Sequence, residues 1–247
     1  MPLEPLAHSG NPGGSRRARS RDRRFLVARP PQGAPGLGGG RTAYPVLAFG
    51  HGFLQRPWRY RGFVESLAAR GYLVVAPDTR TGPLPSHRGL ADDLWLAVEA
   101  VRAAEPLADA DLAVAVGHSM GAGCALLAAT RAPGFCAVAT MSALDTRPSM
   151  RPALGSLAIP TLFVVGTADT VVPPERTRTV YAATAGSPTW VEIPGGGHCG
   201  FLDRSFPRGA ACGEQRLDPA QQRTLAAELI ADWLDTTLPR GRVDPQE

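Results

Sequence analysis

The segment Gly117-His118-Ser119-Met120-Gly121 lies between an apolar run (residues 112–116, LAVAV) and a stretch of small residues at 122–130. A Gly-x-Ser-x-Gly pattern between a strand and a helix holds its serine on a sharp turn, with the hydroxyl exposed above the sheet. The helix N-terminus behind it favours developing negative charge. The chemistry this allows is attack by Ser119 on a carbonyl carbon. Serine needs a base to act as a nucleophile, and the chain has five histidines. His8 is in the leading segment, His51 in the loop after the first inner strand, His87 ahead of a helix, and His118 in the elbow itself. His198, in Gly195-Gly196-Gly197-His198-Cys199-Gly200, directly follows the last strand. Flanked by glycines, it can swing over the sheet edge, and it is assigned as the base. A histidine base needs an acid to fix its tautomer and stabilise its charged form. Asp145 and Asp169 both follow strands between Ser119 and His198. Asp169 is preferred, and Asp145 is the fallback, whose other role would be a helix or turn cap. The oxyanion formed by the attack needs backbone donors. Met120 N–H, just after the nucleophile, is one. The second is expected from Gly50-His51-Gly52-Phe53-Leu54, with Phe53 N–H first and Leu54 second.

Positioning these groups calls for strands that end beside one another. Apolar runs at 24–29, 45–49, 72–76, 112–116, 137–141, 161–165 and 189–193 read as strands. Helical patterns fill 60–70, 90–104, 122–130 and 175–183. A last helix opens at Asp218-Pro219, a cap followed by proline at the first helical position, with Gln221 where a capping-box partner would stand. Near-continuous apolar strands alternating with helices imply a mostly parallel α/β sheet covered on both faces. Such sheets carry their active sites in the loops after the strands' carboxyl ends, where Ser119, Asp169, His198 and the Phe53 loop fall.

Composition narrows the chemistry. All 26 basic residues are arginine, so Schiff-base and lysine-base mechanisms are excluded. Seven of these arginines and only two acids fall within residues 1–40, so the remaining body is near neutral despite the net charge of +4. Residues 1–22 are expected to be a disordered, Gly/Pro-rich basic arm, residues 23–240 the catalytic domain and residues 241–247 a tail. The arm's bland reading is a solvated, arginine-biased segment, so no nucleic-acid partner is expected. It lacks the apolar stretch of a secretory signal. No run approaches the ~20 apolar residues of a membrane span. The expected protein is cytoplasmic, a monomer or weak oligomer, without metal or cofactor. Cys199 and Cys212 flank a loop after the base. They are read either as a disulfide pinning that loop or, in a reducing compartment, as thiols. Cys124 and Cys136 read as small buried apolar residues.

Together these motifs resemble the α/β-hydrolase superfamily, whose triads run in the order serine, acid, histidine. The resemblance is to the branch holding dienelactone hydrolases, chlorophyllase-like proteins and bacterial cutinases. It rests on FGHGF, RGYLVVAPDT, VGHSMGAG, PTLFVVGTADTVVP and IPGGGHCGFLD, across roughly residues 24–238. It implies an α/β-hydrolase fold, Ser119, Asp169 and His198 as triad, and backbone donors at Phe53 and Met120. Dienelactone hydrolases proper use cysteine as nucleophile; serine here favours ordinary esters. Polyester hydrolases usually carry a tryptophan where this chain has Ser142-Ala143-Leu144-Asp145, which argues against polymer activity. The short span from Asp145 to the strand at 161 leaves no room for a lid. Phe53, Trp58, Met120 and Phe201 are the residues expected to line the resulting open site. The expected function is hydrolysis of a small carboxylic ester through an acyl-enzyme. The alternatives are an acyltransferase or amidase on the same triad, or a catalytically silent binding protein of the same fold.

Overall fold

The computed structural model describes residues 4–5, 24–31, 34, 43–79, 84–203 and 212–239. Most of the basic arm, and the tail at 241–247, lie outside them. Strand β1 (Glu4–Pro5) pairs antiparallel with β2 (Arg24–Ala28), and β2 pairs antiparallel with β4 (Leu73–Pro77). The other strands are parallel: β3 (Tyr44–Gly50), β5 (Ala108–His118), β6 (Phe135–Met141), β7 (Thr161–Gly166) and β8 (Thr189–Ile193). The spatial order is β1-β2-β4-β3-β5-β6-β7-β8.

Why the inner strands are apolar throughout follows from what covers them. Along β3, Leu47 and Phe49 face one core, with α1 (Arg61–Ala69) and α6 (Pro219–Thr237) above it. Val46 and Ala48 face the other, beneath α2 (His87–Ala104) and α3 (Met120–Arg131). Successive side chains of a strand point to opposite faces, so a strand covered on both sides must be apolar at every position. Helix α2 buries Leu90, Leu94, Val98 and Val101, the face that the helical spacing of the sequence indicates. Ser86 caps it by accepting from Gly89 N–H. Helix α5 (Pro174–Tyr181) follows β7, and three short elements carried no readable period: the 3-10 turn Pro57–Tyr60, α4 (Arg151–Leu154) and the 3-10 turn His198–Phe201. At α6, Asp218 Oδ1 accepts from the N–H groups of Ala220 and Gln221. The Gln221 side chain faces solvent, and it is the next residue, Gln222, that turns inward.

The strand order also locates the functional crevice. From β3 the chain moves outward to β4, then crosses through α2 to β5 on β3's other side. The connections leaving β3 and β5 therefore diverge to opposite faces of the sheet and open a crevice at their carboxyl ends. Gly50 of β3 and Gly117 of β5 are direct register partners there. A Cβ on Gly121 would run into the Gly50 carbonyl, and one on Gly117 into the Gly121 carbonyl. These glycines allow the serine turn to sit against the end of β3.

Candidate active site

Ser119 lies between β5 and α3 with φ 56 and ψ −122. That is a strained backbone for a residue with a Cβ and persists only where the surroundings enforce it. The enforcing contacts include Ser119 N–H to Met141 O, 2.8 Å, and the glycine packing on Gly50. Met120 is the first helical residue, so its N–H has no intrahelical acceptor. Across the crevice, Gln55 N–H bonds back to Gly52 O at 3.1 Å, closing a turn with Phe53 and Leu54 at its tip. Leu54 has φ 55, a second strained position beside the site. Gly52 N–H is taken by Tyr60 Oη at 3.0 Å.

Asp169, after β7, is 2% exposed, and its carboxylate receives four donors. Oδ1 accepts from Val171 N–H at 3.0 Å and Val172 N–H at 2.8 Å. Oδ2 accepts from Ser142 Oγ–H and from His198 Nδ1, each at 2.8 Å. A carboxylate only accepts, so Nδ1 carries the proton and Nε2 holds a free lone pair. Asp145 is engaged elsewhere. It accepts from Thr146 N–H and Met150 N–H on one oxygen and from Ser149 Oγ–H on the other. Those contacts make it a turn cap. Among the described residues Ser119 and His198 share no closed hydrogen bond. Catalytic contacts of this kind often tighten only in the substrate complex.

His118 points away from solvent into a polar chain that no sequence signal announces. Gly52 N–H donates to Tyr60 Oη, and Tyr60 Oη shares a hydrogen bond with His118 Nδ1 at 2.8 Å. Burial, above all, holds the Tyr60 hydroxyl protonated. Burial first, then the neighbouring His198, drive the His118 pKa well below its ordinary value. The two histidine rings are 4.7 Å apart between centroids. A neutral His118 therefore places no positive charge beside His198. Phe201, expected in the site lining, is instead fully buried and packs on the His118 ring at 5.2 Å. It backs the histidines because the 3-10 turn folds it under the loop. Trp58, 42% exposed, lies under the Arg56 guanidinium at 4.6 Å, and Arg56 is itself paired with Asp78 at 2.7 Å. Phe53 is equally exposed, while Met120 is 7% exposed and packs with Leu90 and Cys124.

The buried histidines make stability pH-dependent. His51 and His118 have folded-state pKa values lowered mainly by burial. Below about 6.5 the unfolded chain binds protons that the folded chain refuses, so stability falls with pH; above that, neither state is charged and stability is flat. Each such group contributes a slope of up to ~1.4 kcal/mol per pH unit. Urea midpoints are expected to be equal at pH 7.5 and 8.5 and lower at pH 5.5. A His118→Asn variant should show a shallower acid decline.

Cys199 and Cys212 are joined in a disulfide, with Cα atoms 5.2 Å apart. The chain then runs back beside the acid loop, where Glu214 N–H donates to Thr170 Oγ1 at 3.1 Å. A closed loop of this length contributes about 3 kcal/mol. Cys212→Ser is expected to lower Tm by several degrees, and a reductant should lower the wild-type Tm to the same value while leaving the variant's unchanged. Cys124 is buried and its thiol is pushed up to about 12, which makes it inert as a nucleophile. Among the described residues no group of three or more His, Cys, Asp or Glu is arranged to hold a metal ion. No helix among them is long and apolar enough to cross a membrane.

The sheet order and the strained serine turn define an α/β-hydrolase fold, and comparison with solved structures agrees on that fold. The model of the hydrolase family described as serine aminopeptidase, S33, matches residues 42–157, which include Phe53, Ser119 and Met120. A dienelactone hydrolase from Anabaena variabilis superposes with a TM-score of 0.65 at 22% identity, covering 90% of this chain and 94% of that one. Thermogutta terrifontis esterase 2, phosphorylated by paraoxon, gives a TM-score of 0.66 at 21% identity, covering 91% and 94%. In sequence, cutinase est1 of Thermobifida alba is 28% identical over 57% of this chain and 50% of its own length. Cutinase est2 of the same organism is 27% identical over 67% and 59%. The chain thus spans only about half the length of the curated relatives it matches. The resemblances run to the branch that holds dienelactone hydrolases, esterases and cutinases.

Proposed function

We propose that the protein is a serine hydrolase of carboxylic esters, with Ser119 as nucleophile, His198 as general base and Asp169 as its acid partner. The observation that carries this reading is the His198 Nδ1–Asp169 Oδ2 hydrogen bond, 2.8 Å, beside the strained Ser119 turn. His198 Nε2 takes the hydroxyl proton as Ser119 Oγ bonds to the ester carbonyl carbon. The carbonyl oxygen becomes an oxyanion, received by the N–H groups of Phe53 and Met120. Its collapse breaks the bond to the alkoxy oxygen, which leaves as the alcohol with the proton from His198. A water molecule, deprotonated by His198, then attacks the acyl-enzyme by the same route and releases the acid and the free serine. Asp169 holds the ring in the required tautomer and offsets its positive charge in both halves.

Support for an ester, among the carbonyl substrates open to such a triad, comes from the esterase and cutinase relatives and from the serine in the nucleophile's place. Exposed Phe53 and nearly buried Met120, beside Ser119, suit an apolar acyl or alcohol group. The deciding experiment combines a panel of short p-nitrophenyl esters with a fluorophosphonate probe. Hydrolysis with labelling of Ser119 supports the reading, and an unlabelled, inactive protein overturns it. Added alcohol or amine in the same assay distinguishes a hydrolase from an acyltransferase by the product formed.

A further inference from the structure

We propose that Gln222, at the start of α6, is a positioning residue that fixes the peptide preceding His198 and so holds the base in its working place. The inference rests on the role of His198 proposed above. Gln222 is completely buried. Its side-chain amide pairs with both polar groups of one residue: Gly197 N–H donates to Gln222 Oε1 at 3.0 Å, and Gln222 Nε2–H donates to Gly197 O at 2.8 Å. This two-point contact imitates a strand pairing and fixes the orientation of Gly197 as well as its place. A second amide locks the first. Gln215 Nε2 donates to Gln222 Oε1 at 2.8 Å and to Leu217 O at 2.6 Å.

The glycines around His198 support the same reading. Of the glycines at 195, 196, 197 and 200, only Gly195 has a positive φ, at 71°. Gly197 and Gly200 are required for space. A Cβ on Gly197 would run into the Glu214 carbonyl and stand 2.6 Å from Gln215 Oε1, and one on Gly200 would run into Gln222 Oε1. A Cβ on Gly196 would press on Ile193 and on Gln222 Cδ, at 3.1 and 3.2 Å. The glycine run therefore gives the two glutamine amides their close approach, with the Glu214 carbonyl beside them. It holds the histidine backbone still, where a run of flexible glycines would let it wander. Displacement of a catalytic group by about 1 Å can cost ~100-fold in rate, which makes this packing consequential.

The test uses the full chain. Gln222→Met keeps the side chain's length and removes both amide contacts. The folded variant is expected to lose about 10- to 100-fold in kcat, with KM unchanged and fluorophosphonate labelling of Ser119 slowed by the same factor. A purely structural role would instead lower Tm and leave kcat, measured well below Tm, at the wild-type value; that result overturns the proposal. Gln215→Met and Gly200→Ala disturb the same amide without touching Gln222, and they carry the test if Gln222→Met does not fold. Reduced kcat at constant KM in either supports the proposal, and wild-type kcat in both overturns it. An active wild type with unaffected variants overturns this inference alone. A wild type that neither hydrolyses esters nor takes the label overturns the esterase reading with it.

Discussion

Replacing Ser119 with alanine is expected to lower kcat on a short p-nitrophenyl ester by on the order of 10⁶-fold, with Tm close to the wild-type value. The size of the loss follows from removing the nucleophile. The triad's remaining members then have nothing to activate, and only the oxyanion donors and substrate binding still help. The constancy of Tm follows from the structure. Ser119 makes no side-chain cap on α3, and alanine retains the Cβ that already occupies the strained turn at φ 56. Kinetics and a thermal melt on the same preparation check both halves. Turnover above a tenth of wild type would remove Ser119 from the chemistry.

The second large effect separates the two aspartates. Asp169→Asn is expected to reduce kcat/KM by about 10⁴-fold. An amide can present a donor to His198 Nδ1, which stabilises the tautomer with its proton on Nε2, the wrong one for a base. The same change disturbs Ser142 Oγ–H, which shares Oδ2 with the histidine. Asp145→Asn should leave kcat/KM within a few-fold of wild type. It keeps one acceptor oxygen for Thr146 N–H and Met150 N–H and loses the contact with Ser149. A stability loss of about 1 kcal/mol is the expected cost of one such hydrogen bond. Parallel assays of the two variants settle the assignment: if Asp145→Asn were the more damaging, the acid would be reassigned.

Parts of this site are legible without coordinates because they are local. The serine turn needs only a strand, five residues and a helix, all contiguous in the chain, and the structure forms that turn around Ser119. The inner strands are equally legible, since burial on two faces writes an unbroken apolar run. Two readings changed. Phe201 has the composition of a lining residue, but a four-residue 3-10 turn, too short to show a period, folds it under His118. The glycines before His198 read as freedom of movement. In the structure they make room for Gln215 and Gln222, which no feature of the glycine run itself announces.

By itself the sequence determined the class of fold, the turn at Ser119 and the strand-end loops on which Asp169 and His198 sit. Local periodicity and turn chemistry decide those, and both are written in neighbouring residues. Tertiary structure decided which aspartate meets the histidine, what holds His118 neutral, where Cys199 finds Cys212 and what fixes Gly197. Each depends on a contact between parts of the chain far apart in sequence: 29 residues for Asp169 and His198, 58 for Tyr60 and His118, 25 for Gly197 and Gln222. Such contacts are set by how the sheet twists and which helix covers which face, and a linear pattern does not record either.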